Sequence, residues 1–216
     1  MHIRLATVVL LATLHGGIIG AAEKTRVDIY INDRDDSALL LGPGKVLASG
    51  IFDEIGVRLI WHSGELPMAK IARRDASVPV FAIRTVEHPL ESATSGALAS
   101  ARIVGSTGTE IVVYKDRLQS FLADHESLVG AAAGYVLAHE LAHVMQGVAR
   151  HSESGIMKAN WSRDDRKAMV IHKLTFTALD IELIHQGLAA QRMGRPTEPA
   201  NVPENVSLAG FNSAKR

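Results

Sequence analysis

Two unlike halves predict an α+β fold for this chain of 216 residues. Before Arg117, short apolar runs either alternate with polar residues or are bounded by glycine, proline and aspartate, as strands are. From Arg117 onward, apolar residues recur at helical spacing among many alanines. The length suits one domain whose core is large enough to stand without covalent staples. The absence of cysteine agrees with that, and it excludes both a disulfide framework and a thiolate metal site or thiol latch.

The first 22 residues, MHIRLATVVLLATLHGGIIGAA, place Arg4 ahead of an apolar run from Leu5 to Gly20 that closes on small residues before the charged Glu23, Lys24 and Arg26. This is the layout of a secretory signal peptide, with cleavage expected after Ala22. A spanning helix prefers roughly 20 apolar residues, and His15 with two adjacent glycines interrupts this shorter run. An uncleaved anchor is the alternative. The expected mature protein is secreted or periplasmic, holds a single domain over residues 23–193, and makes no stable membrane association once the signal is removed. The short distance from Ala22 to the first strand argues against a large propeptide.

Residues 26–33 alternate Val27, Ile29 and Ile31 with Asp28, Tyr30 and Asn32, which predicts a half-buried strand. The polar and glycine-containing stretch that follows reads as a loop, and 46–55 reads as a helix stopped by Gly56. Residues 57–62 and 78–86 predict two more strands around a loop with Gly64 and Pro67. The small, polar stretch 87–100 predicts another loop, and ARIVG and EIVVYKD predict a strand pair around STGT. One long helix or two abutting ones is expected over 117–147, then a loop to Ser162, a helix from Arg163 and another from Thr177. Thr177 and Asp180 imitate a capping box at that last start. Residues 194–216 contain three prolines and little periodicity, and predict a loosely ordered tail. Asp33, Asp35 and Asp36 lack the full donor pattern of a calcium loop and read as an exposed turn.

Lys plus Arg and Asp plus Glu both total 23, so no net field points to nucleic acid or an anionic membrane. The chemistry concentrates instead in HELAHVMQGVARHSESGIM, residues 139–157. On a helix, His139 and His143 project from one face, close enough for two imidazoles to hold one ion, and Glu140 can lean toward water on that ion. A pair of surface helix histidines is the plainer alternative. A catalytic zinc needs a third protein donor and an open position. Gly147 suits a left-handed turn that reverses the chain, and His151 follows it by four residues. His151 is therefore the expected third ligand. Glu153, or a carboxylate on a later helix such as Asp164, Asp165 or Glu182, remains the alternative. His62, His88, His125, His172 and His185 show no ligand spacing, and Tyr135 and Trp161 read as packing residues.

These residues resemble the metzincins, zinc endopeptidases with the pattern HExxHxxGxxH and a Met-turn. The segment also resembles predicted secreted bacterial metalloproteases with HExxH, a glycine, and then His151, Ser152, Gly155, Met157 and Trp161. The resemblance implies a zincin-like fold: an N-terminal mixed twisted sheet with a backing helix, an active-site helix carrying HExxH, and a helical C-terminal subdomain. It implies one catalytic zinc ion on His139, His143 and His151, Glu140 as the catalytic base, and Met157 as a structural Met-turn residue. It also implies a protein or peptide substrate, extended along an edge strand formed by ARIVG or EIVVY. The spacing departs from the family pattern. Gly147 follows His143 by four residues where the pattern has three, and His151 follows by eight where it has six. One added helical residue turns the exit by about 100 degrees, which the second added residue has to offset. The alternatives in function are a secreted binding module that keeps such a fold and a zinc hydrolase of non-peptide amides.

Overall fold

The computed structural model describes residues 23–32, 37–66, 78–90, 93, 96–104, 108–124, 128, 131–193 and 206–207. The signal segment, the turn with Asp33, Asp35 and Asp36, His125 and most of the tail lie outside the described residues. Strands β1 (Thr25–Asn32), β2 (Val57–Ser63), β3 (Val80–Val86), β4 (Ala99–Val104), β5 (Gly108–Tyr114) and β6 (Val206–Ser207) form one sheet in the order β2-β1-β3-β5-β4-β6. β1, β2, β3 and β5 run parallel, and β4 is antiparallel to β5 and to β6. The helices are α1 (Ser37–Glu54), α2 (Lys115–Asp124), α3 (Ala132–Gln146), α4 (Arg163–Val170) and α5 (Ala178–Arg192). The architecture is α+β with a mixed sheet and a helical second half, as the sequence predicts.

Val27, Ile29 and Ile31 of β1 are wholly buried in the main core, so the alternation reads correctly. Tyr30, on the opposite face, is also buried and stacks on the His62 ring at 4.6 Å between centroids. β5 is apolar on both faces because it lies between β3 and β4, and Ile111, Val112, Val113 and Tyr114 are all buried. EIVVY is thus an interior strand, not an edge. ARIVG begins within β4, whose outer side pairs with β6 at Ser100 and Ala101.

α1 begins nine residues before the predicted start, through Gly42, Pro43 and Gly44. An interior proline costs about 3 kcal/mol and a glycine about 1 kcal/mol of helix propensity, so local preference argues for a loop. Packing overrides it: Leu41 is fully buried, and a Cβ at Gly44 would lie 2.8 Å from the Ala133 Cβ of α3. The small residue lets the two helix backbones approach. The predicted segment 117–147 is two helices, α2 and α3, with α2 starting at Lys115. α3 is the centre of the molecule. Every residue from Ala132 to Gln146 is buried, with α1 and α5 against it and β4 and β5 beside it.

The α3–α5 approach has its own small residue. A Cβ on Gly187 would stand 2.0 Å from the Met145 carbonyl oxygen, a backbone atom with no rotamer to yield. Gly187→Ala should lower the melting temperature by several degrees through displacement of α5. Gly50→Ala, in α1 with nothing within 4 Å of the added carbon, should hold or raise it. Equal effects in thermal unfolding would contradict this packing.

Candidate metal and catalytic site

α3 presents His139 and His143 from successive turns, both buried, with ring centroids 4.7 Å apart. The helix ends at Gly147, whose φ of 68° is the left-handed value that favours glycine. Its N–H donates to the His143 carbonyl at 3.0 Å. The chain then turns back and brings His151 to 5.5 Å from the His139 ring and 5.2 Å from the His143 ring. One nitrogen from each of the three histidines lies within 4.8 Å of the other two. The longer spacing therefore still returns His151 to the helix.

The hydrogen bonds define which nitrogens face inward. His139 Nδ1 lies 2.8 Å from the Ile156 carbonyl and His143 Nδ1 3.4 Å from that of Val148. A carbonyl only accepts, so each Nδ1 carries the proton and each Nε2 is left with its lone pair. The two Nε2 atoms stand 3.0 Å apart. Burial, reinforced by His139 and His151, holds His143 well below the ordinary histidine range, so a proton shared between the rings is disfavoured. Two lone pairs at that distance repel unless a cation lies between them. Tetrahedral zinc with Zn–N near 2.0–2.1 Å spaces its nitrogens at about 3.3 Å, so three neutral imidazoles in this arrangement fit a zinc ion after small adjustments. Backbone carbonyls on the remote nitrogens are the usual support for such ligands.

Glu140, beside His139 on α3, is fully buried, and neither carboxylate oxygen has a hydrogen-bond partner. Burial pushes its pKa to about 8, and the Ala101 backbone amide of β4 opposes this rise without completing a hydrogen bond. A dication in the histidine cluster would favour the ionised form, since a bound metal is the largest local charge in such a site.

The turn after the cluster is built against it. Gly155 has a φ of 76°, and a Cβ there would meet the Thr175 carbonyl oxygen at 2.4 Å. Ile156 and Met157 are wholly buried, and the Met157 carbonyl accepts from the Ser152 amide at 2.8 Å. Trp161 packs edge-on against His139, and its Nε1 donates to the same Ile156 carbonyl that His139 uses. Tyr135 is a buried packing residue.

The alternative third ligands point elsewhere. Glu153 is exposed. Asp164 pairs with Lys167, Asp165 caps α4 through Ser162, and Glu182 accepts from Gln186. Among the described residues, His139, His143 and His151 are the group that could hold a metal. Asp180 holds the returning loop through Arg150 and Ser152, a link that the sequence pattern does not show: Arg150 stands in no motif and Ser152 enters only as part of the resemblance. The Thr177 and Asp180 capping pattern was a visible signal, but it indicated only a helix start.

No family model matches the chain, and no curated protein matches it. Among solved structures, the crystal structure of archaemetzincin from Methanopyrus kandleri aligns with 80% of this chain and 99% of that one, at 14% identity and a TM-score of 0.45. That is a distant likeness. The case for a metal site lies in the chain's own geometry: two helix histidines, a left-handed glycine, a returning histidine and a buried methionine after it.

Purified residues 23–216 dialysed against trace zinc should retain one ion per chain. His151→Ala should lose it and Glu153→Ala should keep it. Retention by His151→Ala in elemental analysis would move the third ligand off this loop.

Proposed function

We propose that this protein is a secreted zinc-dependent peptidase, with His139, His143 and His151 holding one ion and Glu140 serving as the base. The observation that carries the reading is Glu140 itself. A buried carboxyl group without a hydrogen bond costs several kcal/mol, and a purely structural zinc site has no use for it beside a ligand. Zinc bound there would act as a Lewis acid on the scissile carbonyl and make water more acidic. Glu140 takes the proton of the attacking water and delivers it to the leaving amine. The dry surroundings of α3 strengthen each of these interactions.

The substrate is read as an extended peptide along β4, the strand whose Ala101 amide faces Glu140. β6 holds that strand's outer side at Ser100 and Ala101, so an incoming peptide would replace it there. A chain ended at residue 193 should then cleave peptides with a lower KM. An unchanged KM would place the substrate on another surface.

Export and signal cleavage after Ala22 follow from the N-terminal pattern alone, and an N-terminus at Glu23 in the exported protein is the expected finding. Glu140→Gln should keep zinc while cleavage of a denatured protein or peptide library falls at least about a hundredfold. Undiminished cleavage removes Glu140 from the role. Zinc binding without turnover on any peptide favours the binding module, and turnover on small amides alone favours the non-peptide hydrolase.

A further inference from the structure

Asp180 is wholly buried, yet it belongs to neither the histidine cluster nor its immediate chain neighbours. Its Oδ1 accepts from Arg150 Nη1 at 2.7 Å and from Ser152 Oγ at 2.6 Å. Its Oδ2 accepts from the Thr177 amide at 3.0 Å and the Thr177 hydroxyl at 2.6 Å. A carboxylate has about four acceptor positions, so these four donors saturate it. A simple helix cap needs only the Thr177 half. The other half reaches across 30 and 28 residues to the two neighbours of His151.

That choice of neighbours has a geometric consequence. In extended chain, side chains two apart share a side and the one between them faces away. Residues 150–152 show that arrangement: Arg150 and Ser152 meet on one oxygen atom, while the His151 ring between them packs against His139 and His143 of α3. The Ser152 amide is tied in turn to the Met157 carbonyl, and Gln146 Nε2 lies 3.5 Å from the Asp180 carbonyl oxygen. α5 itself is seated on α3 through Gly187. The loop is thereby referred to the same helix that carries the other two histidines.

We propose that Asp180 is the positioning residue for the third metal ligand: by holding Arg150 and Ser152 together on α5, it aims His151 at His139 and His143 across the lengthened loop. This rests on the zinc reading above and adds a residue to it. In this chain the two extra residues between His143 and His151 are accommodated by an anchor on a distant helix.

Separate variants distinguish the clamp from the cap. Zinc affinity, measured by competition with a chromophoric chelator, and thermal stability of the metal-free protein are recorded for each variant of residues 23–216. Ser152→Ala, Arg150→Ala and Asp180→Asn should each weaken zinc binding by roughly 10- to 100-fold, the usual scale for groups that orient a ligand. Ser152→Thr keeps the hydroxyl and should restore most of it. Thr177→Val removes the cap alone and should lower stability while zinc affinity stays within about twofold. If Asp180→Asn unfolds the chain, Ser152→Ala and Arg150→Ala still decide the matter, since both leave the cap in place. Wild-type affinity in both of those, with His151→Ala weakened, overturns the proposal and leaves the zinc reading standing. No zinc in wild type, or none lost in His151→Ala, overturns both.

Discussion

The structure depends on satisfying polar side chains inside a helix that is buried on every side. α3 carries His139, Glu140, His143 and Gln146 within an otherwise apolar, alanine-rich sequence. Each such group in a dry interior costs free energy until a partner is found. The helix could have avoided that cost with leucine or alanine, so its surroundings are built to meet these groups. Carbonyls from Ile156 and Val148 take the outward ring protons, and the returning loop closes the cluster with His151. Gln146 donates through Nε2 to the Asp180 carbonyl while its Oε1 has no partner, and Glu140, against the β4 backbone, is left with neither oxygen matched.

The rest of the fold keeps this helix dry and in register. Glycines at 44, 134 and 187 let α1 and α5 approach α3 more closely than a side chain would permit. The parallel strands support α1 from the other side, and the antiparallel β4, between β5 and the short outer strand β6, lies beside α3. Protein interiors packed at this density transmit small displacements. The spacing of the histidines is therefore a property of helix packing as much as of the motif.

The site was legible in the sequence where its logic is local. The four-residue histidine spacing, the left-handed glycine and the following histidine each require particular residue types at particular distances, and each stands where it was expected. The strands of the first half were legible for the same reason, through period-two alternation. What was not legible is non-local. Gly42, Pro43 and Gly44 read as a loop because their cost is local, while the packing that offsets it comes from Ala133 nearly ninety residues on. Tyr30 read as a solvent-facing residue because nothing in its own strand announces the His62 ring that covers it. Asp180 showed its capping role through Thr177, three residues away, and hid its hold on Arg150 and Ser152. EIVVY could not be told from an edge strand until its two neighbours were in place.

The central proposal is that the three imidazoles brought together from α3 and the returning loop hold one zinc ion with a position left open. X-ray absorption at the zinc edge on the metal-loaded protein tests it most directly. Three imidazole nitrogens at about 2.0–2.1 Å, with one or two oxygens completing the shell, are the expected result. Two imidazoles with a protein carboxylate, or a shell of oxygens alone, would contradict it.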